Sequence, residues 1–521
     1  MKKSANLIYK IFSILSIICM LWAIETTLVA PRIGKIFSIY RAEHSYKIII
    51  LLNIFCFVFS GIIICATKFF MSKKDKRKDI SNKQAYFILL LELCLYSLLT
   101  ILLIKFIGFV NPVDDTRITL EYLNKLEQGK QFGFDYMYSN PQNLLLMYVF
   151  MGLRVLFGSN YFVVIVFFIL LHCLTIFFTF LSLKNINLSN KVSLLVIQIL
   201  FFALQITLHV PVAYTDVFSL FFISISLFSF SNYLTKKNIN NEGFINRKPF
   251  IYLILTSFFA AVGFLSKGTV LIFVIAISCY LFFSEKKIRK FLSMFPLLFL
   301  FLINLGWNEF IQQERIFQDG NYGQPNTHYI MMGLNNTPIP EKLSSQQKYG
   351  WIVGAYNSDD QAFSWDLFLK QKLPKKDVQK KQLSVAFQRW NKMSLREKMS
   401  ALNTKVAVTW SSGDLKSSFE WELGVDKTKN RLHYFTDNIT GTILYCWMMV
   451  IQYIVYIGII LSTMKYFNNK NSIVFFCNIF ITGYFCFLLI WESSPRYAMG
   501  IFIPAIVMIG LYINNRKIDN S

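Results

Sequence analysis

Uninterrupted apolar runs recur along the chain, separated by short polar stretches. They lie at about 8–30, 48–70, 85–110, 161–183, 192–210, 216–233, 249–265, 269–285, 291–309, 440–465, 472–491 and 497–513. Each run is long enough to cross about 30 Å of hydrocarbon as a helix. Apolar residues are continuous within each run and do not alternate, which predicts helices and excludes a transmembrane barrel. The pattern therefore predicts an all-α polytopic membrane protein of about twelve spans. Residues 143–158, NLLLMYVFMGLRVLFG, form a shorter run that contains Arg154. They read as a partly immersed interfacial helix, with a true span as the alternative. The first run is too long for a signal-peptide core and is followed by more membrane, so it is expected to be retained.

One substantial polar segment interrupts this pattern, at 310–439. Within it, residues 372–410 alternate apolar and charged positions at helical spacing, with a break expected near Pro374. The stretches HYIMMGLN and GWIVGAYNSDD carry glycines and read as ordered loops. No repeat of 20–50 residues is visible.

Composition narrows the class. Hydrophobic residues make up 55% of the 521, and charged ones only 16%. Soluble domains carry about 25% charged residues, so a soluble enzyme and a disordered chain are both excluded. Fifty-three Lys and Arg against 29 Asp and Glu leave a net charge of +24. No aromatic-basic module accompanies that charge, so no nucleic acid partner is expected. Basic loops that orient the chain and meet membrane lipid account for it. With the N-terminus inside, the inner loops hold Lys2, Lys3, the Lys73–Lys78 run, Lys184, Lys191, Lys236, Lys237, Arg247, Lys248, Lys286–Lys290, Lys465, Lys470, Arg516 and Lys517. The short outer loops hold far fewer cations. Both termini are thus expected in the cytoplasm, with 310–439 outside the plasma membrane. The nine cysteines all sit in apolar runs without a CxxC pair, which predicts neither a disulfide framework nor a zinc site.

This topology gathers polar residues on the outer face. NPVDDTR brings Asn111, Asp114, Asp115 and Arg117. HVPVAYTDVF brings His209, Tyr214 and Asp216. FLSKGTV brings Lys267, HYIMMGLN brings His328 and Asn335, and WESSPRY brings Glu492, Arg496 and Tyr497. Ionisable residues near membrane depth cost about 2.5–3.5 kcal/mol each on insertion scales, so a shared functional site is the expected reason for retaining them. Each residue also has a bland reading. Asp114 and Asp216 could cap helices, Lys267 could snorkel, Glu492 and Arg496 could be an i,i+4 pair, and His328 could be structural. Two adjacent carboxylates repel and one pKa rises, which suits a general base or a metal ligand. An arginine in an outer turn is a ready phosphate ligand.

The order of these motifs resembles the GT-C superfamily of integral membrane glycosyltransferases, in the bacterial branch similar to protein O-mannosyltransferases and aminoarabinose transferases. HYIMMGLN and GAYNSDD look like segments of Gram-positive members. The resemblance rests on Asp114–Asp115, YSNPQNLLLMYVF with Pro141, Asp216, the SKGT turn with Lys267, and ESSPRY, and covers about 85–513. It implies a GT-C-like core at 85–309, an extracellular loop domain at 310–439, closing helices at 440–521 and an added N-terminal pair at 1–84. The implied reaction moves a sugar from an undecaprenyl-phosphate donor to an extracellular acceptor (glycan, teichoic acid, glycolipid or protein) with inversion. Asp114, or else Asp115, would be the base; Lys267, Arg496 and Arg117 would meet the donor phosphate. Asp216, Tyr214, His328, Asn335, Glu492 and Tyr497 would complete the site. The sequence names no metal; Asp115 and Asp216 would be the ligands of a divalent cation. This sequence has Gly268 where relatives often have proline, and Asp-Asp where mannosyltransferases have Asp-Glu.

Rival classes are a polysaccharide polymerase or ligase, a lipid-linked sugar transporter or flippase, and a non-catalytic scaffold. Transporters show two similar halves and mid-membrane polar residues, and neither is visible here. The topology is open to a direct check. A cysteine placed within 340–400 is expected to react with an impermeant maleimide in whole cells. Labelling at residues 73–78 instead would invert the orientation.

Overall fold

The computed structural model describes residues 2–30, 46–74, 79–237, 247–285, 287–317, 320–335, 354–426, 428, 431–436 and 438–514. The basic residues Arg32, Lys35, Arg41, Lys76, Arg77, Lys78, Lys286, Arg516 and Lys517, and the GWIV stretch at 350–353, lie outside them. The helices in chain order are α1 (Lys2–Val29), α2 (Tyr46–Lys74), α3 (Asn82–Ile107), α4 (Asp114–Glu127), α5 (Leu144–Phe157), α6 (Tyr161–Asn185), α7 (Asn190–Phe201), α8 (Thr215–Lys237), α9 (Arg247–Ser266), α10 (Leu271–Ser284) and α11 (Phe295–Gln313). The polar segment supplies α12 (Thr327–Gly333), α13 (Ser358–Trp365), α14 (Lys375–Lys392), α15 (Leu395–Trp410) and α16 (Ser417–Gly424). The chain closes with α17 (Ile439–Tyr466), α18 (Ser472–Ile490) and α19 (Phe502–Ile513). No strand occurs among the described residues, only isolated bridges at Phe109–Val425 and Phe132–Phe317. The protein is an all-α polytopic membrane protein.

Ten described helices are long and apolar enough to cross a membrane. Two of the twelve expected spans are shorter. The run at 269–285 is a 3₁₀ turn, Gly268–Val270, leading into the 14-residue α10. The run at 192–210 is the 12-residue α7, followed by a single helical turn, Leu204–Thr207, and irregular chain up to Tyr214. Irregular backbone at membrane depth survives only where protein satisfies its polar groups. Here Thr116 Oγ1 donates to Val212 O at 2.8 Å, Tyr161 Oη to Pro211 O at 2.7 Å, and Trp421 Nε1 to Leu208 O at 2.6 Å. His209 Nε2 lies 2.8 Å from Leu415 O. α5 ends with Val155, Leu156 and Phe157 exposed at 66–79%, and its Arg154 pairs with Glu127 at 2.7 Å.

α8 is buried along nearly its whole length, between α6 and α9. Its small serines let neighbouring helices come close. With no water at that depth, the hydroxyls bond back within their own helix: Ser219 to Asp216 O, Ser224 to Phe221 O, Ser229 to Ile225 O and Ser231 to Phe228 O, at 2.7–3.0 Å. On α9, Gly263 lies against the side chain of Phe222.

In the polar segment the break of the amphipathic run differs from expectation. Pro374 precedes α14, and the interruption falls at Met393–Ser394, where Ser394 and Glu397 form a capping box that starts α15. HYIMMGLN is largely helical, as α12, and Asn357 caps α13. The segment is tied to the spans. Trp410, fully buried, stacks on Phe485 at 5.1 Å, and its carbonyl accepts from Tyr456 Oη at 2.7 Å. Tyr329 of α12 stacks on Trp491, which stacks on Phe487 of α18, with centroids 4.9 and 4.8 Å apart.

The α8–α9 contact yields a test. A Cβ on Gly263 would sit 2.7 Å from Phe222 Cβ, whereas one on Gly61 of α2 meets nothing within 4 Å. Overpacking of this kind costs about 1–3 kcal/mol. Gly263→Ala is therefore expected to lower the thermal midpoint of the detergent-solubilised protein while Gly61→Ala does not; equal midpoints would refute the close packing.

Candidate active site

Five separate segments bring charge to one place. The start of α4 contributes Asp114 and Asp115. The irregular chain before α8 delivers Tyr214, and the first turn of α8 delivers Asp216. Lys267 stands between α9 and the following 3₁₀ turn. Glu420 comes from α16, and the corner between α18 and α19 carries Glu492, Arg496 and Tyr497.

Arg496 sits among three carboxylates from three of these segments. Its Nη2 lies 3.7 Å from Asp115 Oδ2, its Nε 3.9 Å from Asp216 Oδ2 and its Nη1 3.9 Å from Glu420 Oε1. Tyr214 and Tyr497 flank the guanidinium at 5.2 and 5.8 Å from their ring centroids. Charge-assisted hydrogen bonds run at about 2.7–2.9 Å, so these contacts are electrostatic and leave the fork of N–H groups largely unspent. Arg496 Nε and both Glu420 oxygens are buried without a hydrogen-bond partner among the described residues. The nearby cations are also paired. Lys267 makes a close ion pair with Asp216, and Lys416 lies 3.4 Å from Glu420.

The adjacent aspartates differ in surroundings. Asp115 accepts a short hydrogen bond from the Tyr136 hydroxyl. That hydroxyl accepts from Asn143 Nδ2 at 3.0 Å, and Asn143 Oδ1 accepts from Tyr214 Oη at 3.2 Å. Asp114 does not cap α4, since the residue before the helix is Val113 and no side chain caps it. Asp114 instead lies in the left-handed region, with φ +40°, a conformation that costs a non-glycine residue about 1–3 kcal/mol. Burial, with the nearby Glu420 carboxylate adding to it, raises the Asp114 pKa to about 6 against the pull of Lys416. Burial likewise lifts Glu492 to about 6, with Arg496 and Lys416 opposing. Glu492 makes no ion pair with Arg496 among the described residues; the arginine's partners are Asp115, Asp216 and Glu420.

Three residues expected at the site stand apart from it. Arg117 is exposed on α4 and pairs with Glu121 at 2.8 Å. His328 is buried in the polar segment, Nδ1 2.8 Å from Ser364 Oγ, and burial lowers its pKa to about 4. Asn335 donates to Asp360 at 3.0 Å, and Asp360 is held by both Arg389 Nη1 and Nη2. Tyr497 stays beside the cluster, with Lys267 Nζ 5.2 Å from its ring centroid. Conversely, Glu420, Lys416, Tyr136, Asn143 and Lys405 were not expected. Lys405 is buried and donates to Gly333 O and Trp491 O, both at 2.7 Å, binding the polar segment to the corner that carries Arg496. Its burial lowers its pKa to about 7. For a divalent cation, Asp115 and Asp216 each face the arginine; among the described residues no group of three or more His, Cys, Asp or Glu is arranged to hold a metal.

A family model described as dolichyl-phosphate-mannose-protein mannosyltransferase matches residues 141–307. The match supports a GT-C glycosyltransferase. No curated protein and no solved structure matches the chain significantly. The matched stretch is about a third of the chain. It contains Asn143, Tyr214, Asp216 and Lys267, while Asp114, Asp115, Glu420 and Arg496 lie outside it. For a GT-C glycosyltransferase the family implies a lipid-linked sugar donor and an acceptor met at the membrane.

The Asp216–Lys267 pair, 4% and 10% exposed at the side chains, can be tested apart from catalysis. Removing one partner of a buried pair costs about 3–5 kcal/mol because the other charge is stranded. Arg496 softens that cost here. Lys267→Met is expected to lower the thermal midpoint, and Lys267→Met with Asp216→Asn to recover most of it. An unchanged midpoint in the single variant would show that the pair does not hold the site together.

Proposed function

We propose that the protein transfers a sugar from a polyprenyl-phosphate donor, undecaprenyl phosphate in a bacterium, to an acceptor hydroxyl on the outer face of the plasma membrane, with inversion. The observation that carries this reading is the largely buried Arg496 guanidinium, surrounded by anions yet with no hydrogen-bond partner for its buried Nε among the described residues and with contacts too long to be hydrogen bonds. A buried donor left unpaired costs about 1–3 kcal/mol. A phosphate oxygen entering there relieves that cost.

The steps balance as follows. The acceptor O–H attacks the anomeric carbon from the face opposite the phosphate. The acceptor oxygen–carbon bond forms, the carbon–phosphate oxygen bond breaks, and the leaving polyprenyl phosphate takes the electron pair. Arg496 and Lys267 stabilise the charge that grows on that oxygen, an interaction stronger in the transition state than in the ground state. Asp114 takes the acceptor's proton. Asp115, engaged by Tyr136 and Arg496, orients the guanidinium. A positioned base supplies about 10²–10⁴-fold in rate.

The pH dependence follows from Asp114. Its carboxylate, the form that accepts a proton, forms as pH rises through about 6, so the rate is expected to climb across that pH and level off above it. The charged groups facing Asp114 are Glu420, Lys416 and Asp115. Glu420→Gln removes the nearest repulsion, so the acid limb should move to lower pH. Asp114→Asn is expected to abolish transfer at every pH while leaving protein level and donor binding intact. Full activity in both Asp114→Asn and Asp115→Asn would remove α4 from the chemistry.

The phosphate end has its own test, with initial rates from a defined lipid-phosphate sugar and purified protein. Arg496→Lys keeps the charge but loses the planar fork. It should cost about 1.5–3 kcal/mol in the transition state, the range for hydrogen bonds to charged groups. Wild-type rates in both Arg496→Ala and Lys267→Ala would place the phosphate elsewhere and favour a polymerase or transporter.

A further inference from the structure

The polar segment carries a charge pattern that the site does not use. Between residues 375 and 398 stand eight Lys or Arg and two acids. Segments this long are exempt from the charge rule that orients loops, so orientation does not account for them.

The structure leaves four of these cations exposed along α14. α14 turns Val378, Gln382 and Ala386 inward. Gln382 meets Ser364 at 3.0 Å, and Arg389 folds back onto Asp360. At 3.6 residues per turn, Lys376 and Lys380 fall on the opposite face beside Phe387, and Lys381 and Lys392 on one flank; all are exposed. Phe387 itself is 61% exposed. None of these four lysines, nor exposed Arg396, makes an ion pair among the described residues. Lys376 and Lys380 stand at i,i+4, where like charges destabilise a helix. Together the four lysines form a strip on the exposed sides of the helix that spans about 24 Å of its axis, at about 1.5 Å per residue. The helix's inner side packs on α12, whose Tyr329 stacks on Trp491 at the site's corner, so the strip lies on the same side of the membrane as the site.

We infer that the exposed face of α14 is a docking surface for the acceptor, and that this acceptor is a linear polyanion with phosphodiester-linked repeats. Point charges at intervals along a helix match regularly spaced phosphates and offer little to a neutral chain. The site supplies the complementary reason. With Asp114 and Glu492 ionised, the five carboxylates there outnumber Arg496, Lys267 and Lys416 by two, which disfavours an anionic polymer beyond the one phosphate held by Arg496. Cations one helix layer away hold such a chain near the site despite that repulsion. Calling the polymer an acceptor rests on the proposed transfer; its binding does not.

The test measures binding without transfer. Protein in nanodiscs of zwitterionic lipid is titrated with labelled poly(glycerol phosphate), with dextran of similar length, and with phosphatidylglycerol vesicles. The wild type is expected to bind the polymer and not dextran, and to weaken steeply as salt rises, because polyanion binding releases counterions. The variant K376Q/K380Q/K381Q/K392Q should bind about tenfold or more weakly, while the matching Lys→Arg variant, which keeps the charges, binds as wild type. Both variants are first shown to elute and melt as wild type. Asp114→Asn should bind the polymer no more weakly than the wild type, so loss of transfer and loss of docking are distinguished. Equal binding by the Gln variant, equal binding of dextran, or preference for the vesicles over the polymer would overturn the proposal; the last assigns the strip to lipid headgroups.

Discussion

A single guanidinium, surrounded by three carboxylates at the rim of an apolar bundle, governs the arrangement described here. Asp115, Asp216 and Glu420 come from parts of the chain 101 to 305 residues apart and would repel one another without Arg496 between them. Buried charges cannot be left to solvent, so each must find its counterion within the protein. The start of α4, the first turn of α8, α16 and the corner before α19 are therefore held in register by electrostatics as much as by packing. The charge count is even at close range: Arg496, Lys267 and Lys416 against Asp115, Asp216 and Glu420. Asp114 and Glu492 are added to a balanced set, and both hold their protons more tightly than ordinary carboxyls.

The surrounding fold keeps that cluster still. α8 delivers Asp216 from a helix buried nearly throughout, where Ser219, Ser224, Ser229 and Ser231 bond back within the helix. The irregular chain before it is clamped from α4, α6 and α16. On the other side, Lys405 holds the carbonyls of Gly333 and Trp491 together. The Phe487–Trp491–Tyr329 stack continues the same link from α18 into the polar segment.

Much of this was legible in the sequence, and the part that was not has identifiable causes. Apolar continuity located the ten long helices, because hydrocarbon thickness imposes a length on each. It misjudged 192–210, where hydropathy stays high although the helix stops: Ala203–Val212 is almost wholly buried, yet beyond the short helical turn Leu204–Thr207 it is irregular. Asp114, Asp115, Asp216, Lys267 and Arg496 stood out as charges at the ends of apolar runs, and the structure brings them together. Arg117 shared that signal but faces away, since one residue along a helix turns a side chain by about 100°. His328 and Asn335 were expected from the HYIMMGLN stretch within the polar segment, and are satisfied inside it. Glu420 gave no signal. SSFEWELG alternates like any surface helix, and only tertiary packing reveals that the Glu420 side chain is buried while neighbouring Glu422 is exposed.

Glu420 also bears on modularity. A polar segment between membrane spans invites exchange, as if it were a cap that could be swapped to alter specificity. In this protein the cap supplies one of the three anions around the arginine, and through Lys405 it fixes the corner on which that arginine stands. A chimaera that replaced 310–439 without a carboxylate at the position of Glu420 would unbalance the charge of the spans beneath it. The charged cluster and the segment that supplies Glu420 therefore form one structural unit, and under the proposed function a change in acceptor preference is expected to arise by substitution on the segment's exposed faces before it arises by exchange of the whole.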